Sequence, residues 1–429
     1  MTTGTATTGT ALRFSEIVRL AAGRGVFRLS GQFTAVGLAI AWHEDAFGQF
    51  ANAMGLCAWL ALLPTAAEKT ALKVLPRLRL LRPRVAALTL RAAAAPVVAL
   101  LVALAVALVA APHSTATLYL AAAAWSAATG FLMTVSGLHR LRGRPLRDAS
   151  AFGALTVLVL AGTAATWLLG WSPTTHLLVQ LACVGAVAGC SMIGLPAEWV
   201  RPGVPAGRRV LRAYGRSAGL LGLSEVLEVA GASLVYLALA LSGRVTDSGP
   251  LYMALLVASM AGAFLLYQMK LHQPAFSARL RGAGGAGGRT SALNRLRAAQ
   301  RIGLVFASGV AVLVAFPGGR AALSTTDSLV PMVLLGLLVA VEIVVSFLVM
   351  YANFVLENTN SAILTSTSTT AVAGIVATAA FAAVLVPWLG AAGGLLTLVL
   401  AATARATVLR HLVLRRHPEL RATPVPTHR

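Results

Sequence analysis

Charged residues are scarce in this sequence. They make up 11% of the 429 residues, whereas 58% of the residues are apolar, and a soluble domain carries about 25% charged residues. A chain of this length with so few charges lacks the polar side chains needed to cover water-soluble domains. The composition therefore excludes an ordinary soluble protein and indicates that lipid surrounds most of the chain.

Cysteine is scarce too, and motifs for metal and nucleotide sites are missing. Cys183 and Cys190, seven residues apart on one predicted helix, are separated by about 10 Å, which is too far for a disulfide. The sequence contains no CxxC, HExxH or Walker-type motif. We therefore expect no cofactor, no metal ion, no ATP hydrolysis and no enzymatic activity.

Apolar runs of about 20 residues, the length of a membrane-spanning helix, recur along the whole chain. The runs are continuous rather than alternating, so they predict helices and not the strands of a barrel. The predicted spans lie near residues 24–42, 46–67, 85–111, 115–138, 149–170, 173–195, 216–242, 249–270, 302–317, 328–356, 362–386 and 389–410. The expected fold is an all-α polytopic membrane protein of about twelve transmembrane helices.

Lysine and arginine are distributed unevenly over the predicted connections. If the N-terminus lies inside, all of the 35 except Arg244 and Arg320 fall on the inner side, as the positive-inside rule requires. We therefore expect both termini in the cytoplasm and the protein in the plasma membrane. The net charge of +22 is explained by this orientation and by anionic headgroups, so membrane lipids rather than nucleic acid are the expected partners.

The spans divide into six on each side of a basic central stretch, which predicts two lobes in parallel orientation. The expected units are a cytoplasmic N-terminal segment at 1–23, an N-lobe at 24–195, a cytoplasmic linker at 196–213, a C-lobe at 214–412 and a basic cytoplasmic tail at 413–429. The glycine run at 282–288 predicts a flexible cytoplasmic connector.

Four segments carry a resemblance to a known family. Residues 28–32 (RLSGQ) lead through the first span to 47–51 (FGQFA), residues 249–254 (GPLYMA) begin the eighth span, and residues 385–394 (LVPWLGAAGG) separate the last two. These segments resemble the polysaccharide flippases of the multidrug/oligosaccharidyl-lipid/polysaccharide (MOP) exporter superfamily. The resemblance implies two parallel six-helix lobes of MATE-like arrangement around a central cavity.

The resemblance also implies a function. The protein would flip a lipid-linked oligosaccharide or polysaccharide precursor to the outer face by alternating access, without ATP hydrolysis. The implied partners are the lipid-linked glycan or another amphiphilic substrate, and the glycosyltransferases and glycan polymerase that make and extend it.

Two glutamates near the middle of the seventh span are the first candidate site. An ionisable group at membrane depth costs about 2.5–3.5 kcal/mol, so it usually faces a bundle interior or water. Glu225 and Glu228 are three residues apart and share one helix face with Tyr236. We predict that these residues line the cavity, the alternative being a buried pair that only orients helices.

Two arginines of the first span are the second candidate. Arg24 and Arg28 are four residues apart and therefore lie on one stripe, and a guanidinium group matches a phosphate. With Gln32 of the same segment they are predicted to line the cavity, and Arg28 is predicted to pair with Glu225 or Glu228 across the lobes. The alternative is that the arginines reach the inner headgroups.

The tenth span supplies a third stripe. Glu342, Ser346, Asn353 and Glu357 fall on one face at helical spacing, which predicts either a cavity wall or a hydrogen-bonded seam between helices.

Three other functions remain open at this point. A MATE-like exporter of drugs or small molecules would share the fold but would use an aromatic and carboxylate cavity. A glycosyltransferase dependent on polyprenyl-linked sugars would use acidic residues of an outer loop, such as Glu44 and Asp45. A scaffold without transport activity would need none of these residues.

Overall fold

The computed structural model describes residues 14–75, 78, 81–201, 207–280, 284–315, 329–359 and 364–421, although not every side chain within them. Within these ranges all regular secondary structure is helical, and every predicted span falls on a helical segment. The all-α prediction is therefore confirmed.

The first group of helices contains α1 to α8. Their bounds are α1 (Phe14–Ala41), α2 (Glu44–Cys57), α3 (Leu62–Val74), α4 (Arg82–Ala110), α5 (Thr115–Leu141), α6 (Pro145–Leu169), α7 (Pro173–Ile193) and α8 (Ala197–Val200). A 3-10 turn at Ala58–Ala61 joins α2 and α3 into one rod. Pro64 is the third residue of α3 and has no N–H to donate within the rod, which explains the change of helix geometry before it.

The second group contains α9 (Arg208–Leu241), α10 (Ser248–Arg279), α11 (Gly284–Ala315), α12 (Leu329–Thr359) and α13 (Leu364–Arg416). The last helix contains two predicted spans and bends between them at Gly390, where φ is 55° and ψ is −129°. A side chain there would be strained by the positive φ and would contact Arg244 and Asp247. Glycine thus separates the last two spans.

Short polar residues set the starts of two helices in the first group. Ser114 precedes α5 and accepts a hydrogen bond from the backbone N–H of Thr117, and Ser172 precedes α7 and accepts one from Thr175. Each serine satisfies a donor that the first helical turn leaves unpaired. These caps place the turns at positions that hydropathy gives only approximately.

Large apolar side chains cover the outside of the bundle. Val109 is 88% exposed, Ile193 is 85% exposed and Leu241 is 80% exposed, and apolar surface of this extent is stable only in contact with lipid or another protein. Among the described residues, seven helical stretches are long and apolar enough to cross a membrane. The chain is thus built as a multi-pass membrane protein.

The two groups of helices meet along one contact, which we call the seam. Within the first group α1 packs on α6, and α5 packs on α3, α4 and α7; within the second, α9 packs on α13, and α11 on α12 and α13. At the seam α2 and α3 lie against α9, while α1 and α2 lie against α10. The predicted lobe boundaries and the orientation of the termini stay predictions.

Three helices begin at least two helical turns earlier than predicted. Helix α1 begins at Phe14 and α9 at Arg208, inside the predicted terminal segment and linker. Residues 284–288 of the glycine run are helical, so the prediction of a flexible connector is wrong for them, while 282 and 283 lie outside the described residues. A Cβ at Gly285 would lie 3.0 Å from the carbonyl oxygen of Leu280. This short distance favours glycine over a larger residue at position 285.

Candidate functional site at the seam between the helix groups

The two predicted arginines of α1 point to different neighbours. Arg24 donates through Nε and Nη2 to Oδ1 of Asp148 on α6, at 3.3 and 3.2 Å. Arg28, one turn later, donates through Nη1 to the carbonyl oxygen of Ser259 on α10, at 3.2 Å. The spacing of four residues therefore does not direct both guanidinium groups to one partner.

Arg24 belongs to a network of four charged side chains at the arginine-rich end of the first group. Arg140 on α5 lies 3.2 Å from the second carboxylate oxygen of Asp148 and 2.5 Å from Oε1 of Glu68 on α3. The side chain of Asp148 is 1% exposed and that of Glu68 is 11% exposed. Two positive and two negative charges balance in this network. This network of ion pairs links α1, α3, α5 and α6 inside the first group.

Arg28 and Gln32 present polar groups on one side of α1, since they are one helical turn apart. The side chain of Arg28 is exposed and has donors beyond the one given to Ser259. Nε2 of Gln32 is buried and has no hydrogen-bond partner among the described residues. A solute with an anionic or carbonyl oxygen next to these two residues would accept hydrogen bonds from the donors of both side chains.

Asn52 of α2 is the centre of the seam. Its side chain is fully buried, and its Nδ2 donates to the carbonyl oxygen of Tyr236 on α9 at 2.9 Å and to Oγ of Ser248 on α10 at 2.8 Å. Its Oδ1 accepts a hydrogen bond of 2.5 Å from the hydroxyl of Tyr119 on α5. One amide thus joins four helices from both groups, and the two hydrogen bonds from its Nδ2 are the ones that cross the seam.

Small residues let the helices approach closely around Asn52. A Cβ at Gly55 would overlap the ring of Tyr236, and Oγ of Ser233 donates to the carbonyl oxygen of Gly55 at 2.8 Å. A Cβ at Gly48 would lie 2.8 Å from the Cα atom of Thr246. Tyr236, predicted to line the cavity, is 2% exposed and packs in the seam.

The predicted acidic pair cannot be placed in the same detail. The side chains of Glu225 and Glu228 lie outside the described residues, although their helix α9 runs along the seam. The predicted pairing of Arg28 with either glutamate stays a prediction.

The predicted stripe of α12 lies among helices of the second group, since α12 packs on α10, α11 and α13. Oγ of Ser346 donates to Oε1 of Glu342 at 2.8 Å. Asn353 is 8% exposed, and its Oδ1 is buried with no hydrogen-bond partner among the described residues. The side chain of Glu357 lies outside the described residues. These contacts do not bring the stripe to the α1 residues.

Asn52 and Asp148 have structural roles that the sequence patterns did not predict. The cost of burying an ionisable group near a helix end is the signal that could have identified Asp148. Asn52 has no such signal, because a single amide in an apolar run has many ordinary explanations.

One sequence pattern typical of a catalytic serine lies in this part of the chain, but its setting differs from the usual one. The pattern GxSxG occurs once, at residues 215–219 (GRSAG), but these residues lie within α9 and not at the strand-to-helix turn where this motif exposes its serine. Among the described residues, no three His, Cys, Asp or Glu side chains lie close enough together to hold a metal ion.

No protein-family model and no curated protein matches the sequence. Solved structures match the fold. The inward-facing structure of a multidrug resistance MATE family transporter of the MOP superfamily aligns with a TM-score of 0.60 at 16% identity and covers 96% of this chain and 100% of that chain. An outward-facing structure of such a transporter gives 0.57 at 17% identity, with 95% and 96% covered.

A third match is a MOP superfamily transporter from Pyrococcus furiosus whose binding pocket has reverse polarity, which suggests a different function for that protein. It aligns with a TM-score of 0.55 at 15% identity and covers 95% of this chain and 96% of that chain. At these identities the likeness concerns the fold. The chain therefore has the all-helical fold of the MATE transporters of the MOP superfamily.

Proposed function

We propose that this protein is a membrane transporter that exports a small molecule by alternately opening the two sides of the seam. The observation that carries the proposal is the seam itself, a contact between two helix groups that is made of small residues and one buried amide. The match to MATE transporters over nearly the whole chain supports the same function.

The seam is suited to repeated opening because few strong interactions cross it around Asn52. Among the described residues, the polar contacts there are hydrogen bonds from Asn52 and Ser233 to groups of the other helix group. A neutral hydrogen bond contributes about 0.5–1.5 kcal/mol to stability. Opening would exchange these bonds for bonds to water or solute, so the two states can differ by only a few kcal/mol, as an alternating transporter requires.

Flipping of a lipid-linked oligosaccharide is the second candidate, and Arg28 favours it. Its exposed guanidinium lies where α1 meets α10 and donates to a carbonyl oxygen. Because this acceptor is neutral, the contact does not neutralise the positive charge of Arg28. A diphosphate-linked glycan would supply the missing anion, whereas a cationic drug would be repelled. The substrate class therefore depends on what Arg28 contacts in the open state.

The two candidates are distinguished in vesicles that contain the purified protein. Small-molecule export predicts uptake of a cationic fluorescent dye when a proton or sodium gradient is imposed. In a parallel sample, flipping of a fluorescent polyprenyl-diphosphate-linked oligosaccharide is followed by a quencher that cannot cross the membrane. Dye transport supports small-molecule export, glycan flipping supports the flippase, and the absence of both under either gradient would refute transport.

Arg28→Gln sharpens the comparison. It should reduce glycan flipping strongly and leave dye uptake unchanged or faster, because only the anionic substrate needs the guanidinium. Arg91→Gln is the matched control, since Arg91 is exposed on α4, which packs on α3, α5 and α8 in the first group.

A further inference from the structure

A polar pocket lies at the arginine-rich end of the first helix group and takes no part in the seam site. Its volume is about 420 Å³, within the range of about 300–1,000 Å³ in which proteins bind small ligands. Arg82 and Pro83 at the start of α4, Arg142 directly after α5, and Glu198 and Trp199 of α8 line it.

Two arginines are fixed in this pocket by neutral groups. Nη2 of Arg82 donates to the carbonyl oxygen of Leu141, and Nη1 of Arg142 donates to the carbonyl oxygen of Gly194, each at 3.0 Å. Their guanidinium carbons lie 5.4 and 6.0 Å from the ring centre of Trp199, which is 5% exposed. Carbonyl oxygens and an aromatic ring orient a guanidinium group without cancelling its charge. The pocket therefore presents two oriented positive charges beside one indole ring.

The surroundings add positive charge. Burial and then the charges of Arg144 and Arg147 lower the pKa of Arg142, while Glu198 acts in the opposite direction. Nε of Arg82 is buried and has no hydrogen-bond partner among the described residues. The N-terminus of α4 contributes further donors and the positive end of its dipole. A bound anion would relieve this accumulation of positive charge.

The geometry points to the phosphate group of an anionic phospholipid as the ligand of this pocket. Guanidinium groups match phosphate oxygens, and basic pockets between helix ends recognise anionic headgroups. Apolar side chains next to the pocket suit acyl chains, because Ile193, directly before Gly194, is 85% exposed and Leu146 is 58% exposed. A lipid whose headgroup enters the pocket would keep its acyl chains against these side chains, which a free phosphate cannot do, so a lipid fits the surface better.

The test uses the full-length protein in detergent and measures the dissociation constants of three probes. Short-chain phosphatidylglycerol carries the anionic headgroup, phosphatidylcholine is the zwitterionic lipid, and inorganic phosphate is the free anion. We expect phosphatidylglycerol to bind most tightly. Arg82→Gln and Arg142→Gln should each weaken its binding about fivefold, as expected for one basic residue near a headgroup.

Two further variants make the result specific. Arg301→Gln removes the same charge from an exposed position on α11 of the second group and should leave the affinity unchanged. Glu198→Gln removes the acidic residue of the lining and should tighten phosphatidylglycerol binding about fivefold. Because Glu198 is exposed, this variant keeps its fold even if an arginine variant does not.

Each result leads to a definite conclusion. Phosphatidylglycerol binding that weakens with the arginine variants and tightens with Glu198→Gln supports the lipid site. The alternative result is that inorganic phosphate binds as tightly as phosphatidylglycerol and depends on Arg82 and Arg142 in the same way. This result would overturn the lipid proposal and show that the site binds a free anion. Equal binding of the two lipids, or an unchanged affinity in Glu198→Gln, would overturn the proposal.

Discussion

Replacement of Gly55 by alanine should force the seam open. The added Cβ would overlap three atoms of the Tyr236 ring, and this ring is 2% exposed and so has no free space to turn into. Non-bonded carbon atoms require about 3.5 Å. Helices α2 and α9 must therefore separate by about 1 Å or more before the methyl group fits.

The size of the effect follows from the packing. Forcing an extra methyl group into a close-packed contact costs about 1–3 kcal/mol. If this cost applies to the closed seam and not to the open one, the equilibrium shifts toward the open state by about 5- to 150-fold. The control is Gly189→Ala on α7, because a Cβ at Gly189 meets no atom within 4 Å. Both substitutions raise the helix propensity by the same amount. A difference in stability or reactivity between the two variants therefore comes from the contact in the seam.

The assay follows a cysteine placed in the seam. Ser248 is fully buried, so Ser248→Cys in a chain without its native cysteines should react slowly with a maleimide that cannot cross membranes. We expect Gly55→Ala to speed this reaction by about 5- to 150-fold, and Gly189→Ala to leave it unchanged. Equal reaction rates and equal unfolding temperatures of the two alanine variants would refute the reasoning.

Three further predictions test the rest of the structure. Asn52→Leu leaves the buried hydroxyl of Ser248 without its donor, so thermal melting of the purified protein should show a stability loss of about 1–3 kcal/mol; an unchanged melting temperature would contradict the hydrogen-bond network. Asp148→Asn removes the carboxylate shared by two arginines and should lower the melting temperature by several degrees at low and high salt alike, because a side chain that is 1% exposed is little screened by ions. For topology, cysteines placed at 43–45 should be labelled from outside intact cells and those at 282–288 only from inside; outside labelling of 282–288 would show that the orientation is wrong.

The amino-acid sequence determined where the helices lie, because a membrane-spanning segment is recognised by local properties. Length and hydropathy are set by some 20 consecutive residues, and the predicted spans fall on helices of the structure. The bend near the start of the last span could also be predicted from the sequence, since Gly390 lies inside the segment that resembles the turn of the flippase family. Helix starts at Phe14 and Gly284 were missed because polar and glycine-rich turns become helical only when a neighbour packs on them.

The tertiary structure alone decided which polar groups meet. Helical spacing puts Arg24 and Arg28 on one stripe, yet the first donates to α6 and the second to α10, because a long side chain at a helix crossing can follow either neighbour. Asn52 bonds to residues 67, 184 and 196 positions away in the chain. Separations of this size leave no periodic trace in the sequence, and only the packing of whole helices brings such groups within hydrogen-bond distance.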